Sequence, residues 1–218
     1  MLDREGLGGW EALFRRRVSE VCAKAGDPAH DLAHFLRVVA TAKALCVEEH
    51  ARPEIVVPAA WLHDFVIVPK NDPRRSQASR LAGAEAVAWL RSEGYPEELL
   101  ADIAHAIEAH SYSARIEART PEARIVQDAD RLDGIGAIGI ARCFSVGATL
   151  VRPFYDAQDP FADRRALDDN VYTLDHFYVK LFKTAETLLT EAGRREGARR
   201  METMRAYLAE LRRELGLS

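Results

Sequence analysis

The chain has little cysteine, no long apolar run and no excess of positive charge, and each shortage removes a class of protein. Cys22, Cys46 and Cys143 are the three cysteines in 218 residues, scattered and without a C-x-x-C pair. That argues against a disulfide scaffold and predicts free, packed thiols in a reducing cytoplasm. No apolar stretch approaches the roughly 20 residues of a membrane span. The opening Met1-Leu2-Asp3-Arg4-Glu5-Gly6 lacks the basic and apolar regions of a secretory leader, so none is expected. Thirty basic against 34 acidic residues leave a formal charge of −4, which argues against a broad nucleic-acid-binding surface. Internal repeats, low-complexity segments and clear strand patterns are absent. Gly134, Gly136 and Gly139 have the wrong spacing for a dinucleotide fingerprint, and no strand precedes them.

What is present is an ordinary soluble composition, 48% hydrophobic and 29% charged, able to bury a core. Apolar residues recur at helical spacing between proline and glycine punctuation, and the fold class predicted is all-α. Trp10, Leu13, Phe14, Val18, Val21 and Cys22 form the first stripe, with Arg15, Arg16 and Arg17 on the solvated side. Asp27-Pro28 reads as the cap and first residue of a helix to about Glu49. Pro53 opens an almost wholly apolar helix that runs into His63-Asp64. Further helices are expected over Ser76–Arg91 and Glu97–His110, and from Pro121 behind a Thr120 cap. The run Ala123–Ser145 is read as helical despite its glycines. A long connection, Val146–Leu167, looks like a lid, a surface excursion or an oligomer contact. Two long helices are predicted over Asp168–Gly216.

The chemistry-bearing residues fall in three places. His30-Asp31-Leu32-Ala33-His34 comes first, then Trp61-Leu62-His63-Asp64, then Asp128-Ala129-Asp130. One histidine, a His-Asp pair and a late aspartate would give one cation two imidazoles and two carboxylates. That mixed set suits manganese, iron, cobalt, nickel, zinc or, less comfortably, magnesium. A buried His-Asp pair needs partners in any case, because desolvated polar groups are costly; a mutual hydrogen bond or salt bridge is the plain alternative. Lys70, Arg74 and Arg75 follow the pair in a loop and read as solvated cations or a phosphate clamp. His110-Ser111-Tyr112-Ser113 ends a helix, where polar side chains can enter a cleft. Asp128, Asp130 and Asp133 crowd three carboxylates, whose repulsion favours a cation or nearby arginines such as Arg124, Arg131 and Arg142.

These strings resemble the HD-domain metal-dependent phosphohydrolase superfamily, whose name comes from the adjacent His-Asp. The resemblance covers roughly residues 25 to 210. It rests on His30-Asp31-x-x-His34-x-x-Arg37-Val38, Leu62-His63-Asp64, His110-Ser111-Tyr112-Ser113 and Ile125-Val126-Gln127-Asp128-Ala129-Asp130-Arg131-Leu132-Asp133 followed by Gly136-Ala137-Ile138-Gly139. The likeness is to its small stand-alone bacterial branch, called YedJ-like or YpgQ-like. It implies an HD-type helical bundle as one domain over 1–218. Its parts would be a metal core over about 25–146, a lid-like loop over about 146–167 and C-terminal helices over about 168–216.

The same resemblance implies one divalent cation, manganese favoured, on His34, His63, Asp64 and Asp130. A binuclear site would need two further histidines, only partly supplied by His105 and His110, so one ion is expected. Asp31, Asp128, Asp133 and Glu85 are unranked candidates for a proton acceptor or supporting carboxylate. His30, Arg37, Lys70, Arg74, His110 and Arg131 are candidates for holding substrate. The expected reaction is hydrolysis of a phosphoester or phosphoanhydride, with a nucleoside triphosphate cut to monophosphate and pyrophosphate as the preferred case. A homodimer is compatible with this reading; a membrane is not part of it. Phe65-Val66 departs from the acidic continuation of some nucleotidase branches. The competing readings are an HD-fold di-iron oxygenase and a non-catalytic module that binds metal or nucleotide.

Overall fold

The computed structural model describes residues 6–25, 31–66, 68, 72, 74 and 77–217. Among these residues the protein has nine α-helices and no strand, as the periodicity predicts. No described helix is long and apolar enough to cross a membrane. The chain divides into two compact units, Met1–Asp130 with Leu189–Ala192, and Arg131–Leu188 with Gly193–Ser218.

In the first unit, α1 (Leu7–Ala25) buries Trp10, Phe14 and Val18, each one turn from the next. Trp10 meets Tyr95 edge-on at 4.8 Å, and Phe14 lies 6.1 Å from Trp89. Helix α2 (Leu32–Glu48) starts at an Asp31 cap, whose carboxylate accepts the His34 N–H at 2.9 Å. The expected cap at Asp27-Pro28 lies outside the described residues.

Helix α3 (Pro53–Leu62) is the core element, with every residue from Ile55 to Leu62 buried. Its Pro58 has no N–H for the Glu54 carbonyl one turn back. The Tyr95 hydroxyl donates to that carbonyl instead, at 2.7 Å. Helices α4 (Ala78–Ser92) and α5 (Glu97–His110) form an antiparallel hairpin around Gly94, whose φ of +83° suits glycine. Gly83 lets α4 approach the Ala104 carbonyl and Glu108 of α5 closely. A 3-10 turn, Tyr112–Ala114, follows.

Helix α6 (Pro121–Asp133) begins as predicted, with Thr120 Oγ1 accepting the Ala123 N–H at 3.1 Å. Gln127 ties it to the Ala109 carbonyl of α5 at 2.8 Å. Asp128 is fully buried and accepts from the Leu189 and Thr190 amides and the Thr190 hydroxyl. It thereby holds the segment leading into α9 (Glu191–Glu214), and Glu49 accepts the Ala192 amide at 2.7 Å.

The second unit departs from the sequence reading in two places. The predicted run through Ser145 breaks after Asp133, and α7 (Gly136–Thr149) starts afresh with Gly136 at φ +73°. A Cβ at Gly139 would sit 2.4 Å from the Gly134 carbonyl oxygen, so the glycines serve the break as well as packing. The long connection also runs further than Leu167. In place of a long helix from Asp168 there is a π-helical turn, Phe177–Leu181, leading into the short α8 (Phe182–Glu186). Local carboxylates explain this, because they offer the backbone partners outside a helix. Asp159 accepts the Asp163, Arg164 and Arg165 amides. Asp175 takes the Arg165 guanidinium and the Asp168 amide.

Replacing Asp128 with Ala should strand buried amides and cost about 3 kcal/mol, measured by denaturant unfolding. An unchanged midpoint would show that this carboxylate is not structural. A Cβ at Gly147 would lie 2.3 Å from Thr173 Oγ1. Gly147→Ala should therefore cost about 1–3 kcal/mol, most of it recovered in the double variant with Thr173→Ala. Simple additivity of the two would refute the contact.

Candidate metal centre

Four elements of the first unit deliver the cluster. His34 lies in the first turn of α2, His63-Asp64 follow the last residue of α3, His110 ends α5, and Asp130 lies late in α6. The three imidazoles are buried, and the side chains of Asp64 and Asp130 are 24% and 30% exposed. The set is therefore enclosed by protein on its histidine side and reachable on its carboxylate side.

His63 and His110 are oriented by the same device. A helix ends with carbonyls that lack intrahelical partners. The His63 Nδ1–H donates to the Ala60 carbonyl at 2.8 Å, and the His110 Nδ1–H donates to the Ile107 carbonyl at 2.6 Å. In the neutral ring each Nε2 is then the atom with the lone pair. His63 Nε2 stands 3.2 Å from His34 Nε2, 3.7 Å from Asp64 Oδ2 and 3.9 Å from Asp130 Oδ1. His34 Nε2 is 3.6 Å from the same Asp130 oxygen, and His110 Nε2 is 3.6 Å from Asp64 Oδ1.

Burial pushes the His63 imidazole down to about 4, against the opposing pull of Asp64 and Asp130, so the ring stays neutral through ordinary pH. Burial also disfavours charge on His110, but the hydrogen bond and charge of Asp64 outweigh it and raise its pKa. Two rings side by side thus respond in opposite directions.

The donor set fits a divalent cation. One ligand atom each from His34, His63 and Asp130 lie within 4.8 Å of one another, and Asp64 can supply a fourth. Two nitrogens about 2.1 Å from one ion and near a right angle would be about 3 Å apart, close to the Nε2 separation seen. Orienting each ring by its other nitrogen is how proteins commonly prepare metal-ligating histidines.

The other candidates are dispersed. Asp31 is exposed and caps α2. Asp128 is committed to Leu189 and Thr190, and Asp133, in the second unit, pairs with Arg142 at 2.9 Å. Glu85 is exposed on α4, and Arg37 is half-buried on α2. Arg74 grips both carboxylate oxygens of Asp72, and Arg131 donates to the Thr187 carbonyl. His105 accepts the Arg119 amide at 3.1 Å. His30 and Lys70 lie outside the described residues. The Ala60 and Ile107 carbonyls escaped sequence reasoning, because every residue carries a carbonyl. The one available signal was a histidine at a helix end.

Comparison with known proteins identifies the family. Residues 31–135 match the HD domain family. The protein YpgQ of Bacillus subtilis is 30% identical over 191 residues, covering 85% of this chain and 84% of that one. Its crystal structure in complex with ADP superposes with a TM-score of 0.72 at 28% identity, over 94% of both chains. An HD-superfamily hydrolase from Bacillus thuringiensis gives 0.75 at 29% identity, over 95% of this chain and 97% of that one. The chain belongs to the HD-domain family and is a metal-dependent phosphohydrolase of the HD superfamily.

Proposed function

We propose that the enzyme hydrolyses a nucleoside triphosphate to the monophosphate and pyrophosphate. One divalent cation, manganese favoured, would be held by His34, His63, Asp64 and Asp130. The observation that carries this is the convergence of His34, His63 and Asp130 ligand atoms within 4.8 Å, with His63 already turned so that Nε2 carries its lone pair. The nucleotide class is supported by the ADP in the crystal structure of the Bacillus subtilis relative.

When bound, a divalent cation lowers the pKa of a coordinated water and offsets charge on the phosphoryl oxygens. The protein's own part is placement. The buried imidazoles keep bulk water from one side of the cluster, and the partly exposed Asp64 and Asp130 mark its open side. His110 is the remaining polar side chain of the cluster; as an imidazolium, the form that Asp64 favours, it is assigned to a phosphate oxygen as a hydrogen-bond donor through Nε2. Of the carboxylates considered for accepting a proton, Asp128 and Asp133 are tied to other donors. The proposal keeps Asp31, whose Oδ1 caps α2, and the exposed Glu85, unranked. Arg74, and Lys70 beyond the described residues, are assigned to the outer phosphates.

Metal analysis joined to product identification tests the whole. The purified chain should hold about one manganese-competent site per protomer and release pyrophosphate, not orthophosphate, from nucleoside triphosphates. His63→Ala or Asp130→Ala should abolish stoichiometric metal and activity together. Full metal content in both variants would show that the ligands are misassigned. Two irons with oxygen consumption would replace the reading by an oxygenase, and metal-dependent nucleotide binding without turnover would make the chain a binding module.

Distal phosphate recognition has its own test. Arg74→Ala should lower kcat/KM on a triphosphate about tenfold, the worth of one charge-assisted bond. A small activated phosphodiester, lacking distal phosphates, should be hydrolysed as before, with metal content intact. Equal losses on both substrates, or none on either, would remove Arg74 from phosphate binding.

A further inference from the structure

Helix α1 precedes residues 31–135, the part matched to the family, yet it touches both flanks of the His63-Asp64 pair. On the upstream side, Glu11 accepts the indole N–H of the buried Trp61 at 3.1 Å, two residues before His63. The other Glu11 oxygen takes the Lys43 ammonium of α2 at 2.5 Å, so Glu11 is itself fixed. On the downstream side, the Arg17 guanidinium lies over the ring of Phe65, 5.5 Å from its centroid, directly after Asp64. Arg17 Nε is buried without a hydrogen-bond acceptor among the described residues, as suits a guanidinium set against an aromatic face. Phe65 is 5% exposed and meets Trp89 at 5.7 Å, and Trp89 in turn meets Phe14 of α1. Arg17 is half-buried: its side chain is 35% exposed and its guanidinium also pairs with Glu20 at 3.2 Å, so it leaves the solvated face expected for Arg15-Arg16-Arg17 only in part.

The ligand pair needs such support. Helix α3 ends at Leu62, so His63 and Asp64 lie where its regular hydrogen bonds run out. The direction of their side chains depends on what holds the residues on either side. Ligands must be kept within about 0.5 Å of a productive arrangement, which loosely supported residues cannot do.

We propose that α1 buttresses the metal centre: Glu11, through Trp61, and Arg17, through Phe65, are positioning residues that hold His63-Asp64 in ligating register and so set the affinity for the divalent cation. The inference rests on the ligand assignment made above.

The test titrates Mn²⁺ into the metal-stripped full-length protein by calorimetry and records melting temperatures with and without saturating Mn²⁺. Glu11→Leu and Arg17→Ala should each weaken Mn²⁺ binding about tenfold, the lower end of what supporting groups contribute. Glu11→Gln keeps an oxygen for the Trp61 N–H and should stay within about twofold of wild type. The Mn²⁺-induced rise in melting temperature should shrink in the first two variants, because it follows affinity. Arg17→Met keeps the apolar stem without the guanidinium and gives a second reading should Glu11→Leu not fold.

Wild-type affinity in the altered proteins would overturn the proposal, as would equal weakening in Glu11→Leu and Glu11→Gln. So would lower melting temperatures with an undiminished Mn²⁺-induced rise, the pattern of a purely structural role. A wild-type protein that binds no Mn²⁺ would instead overturn the ligand assignment, and this proposal with it.

Discussion

A neutral buried imidazole has one proton to place, and in His63 it goes to the carbonyl of Ala60. That bond determines which nitrogen faces His34, Asp64 and Asp130. Had the proton been on Nε2, the 3.2 Å approach of His34 would be an ordinary hydrogen bond from His63 and the carboxylates would have a donor. With the proton on Nδ1, the His63 lone pair faces the carboxylate oxygens of Asp64 and Asp130, an arrangement that repels itself unless a proton or a cation intervenes. Burial makes protonation of His63 unfavourable, and a divalent cation is the partner proposed for it.

The same reasoning explains why the site stands at helix ends. Only there does a main-chain carbonyl become available to a ring three residues further on. Both His63 and His110 use such a carbonyl, at α3 and at α5. Rigid helices thus supply the position, and their unsatisfied ends supply the orientation. Helix α3, buried from Ile55 to Leu62, is suited to this duty because the Tyr95 hydroxyl takes the Glu54 carbonyl that Pro58 leaves without a donor.

Much of this was legible in the sequence. The all-helical class followed from apolar periodicity, and Pro53, Thr120 and Gly94 marked real boundaries. The histidines and aspartates of the cluster stood out because charged and polar residues are conspicuous in apolar runs. What could not be read was anything settled by a partner distant in sequence. Asp128 looked as available as Asp130, yet its donors are 61 and 62 residues away. Arg17 looked solvated, yet the Phe65 ring lies beneath its half-buried side chain. The missing helix after Asp168 was hidden because its stripe of Leu174, Phe177 and Leu181 is genuinely apolar, while Asp159 and Asp175 bind the backbone into turns.

The crowding of carboxylates on α6 resolves through helix geometry. At about 100° per residue, Asp130 points roughly 200° around the axis from Asp128, and Asp133 roughly 140° from it. Asp128 thus stands apart, whereas Asp130 and Asp133 are only about 60° from each other on one face, and each meets its own surroundings. Asp128 finds two amides and a hydroxyl and is entirely buried, Asp133 finds the Arg142 guanidinium, and Asp130 finds two imidazole nitrogens. An acceptor surrounded by donors is satisfied and has nothing left for a cation. An acceptor facing the unprotonated nitrogen of a neutral His63 is not satisfied by it, and partial exposure leaves Asp130 open to whatever enters. The three aspartates differ in what surrounds them, and Asp130 is the one that meets the imidazoles.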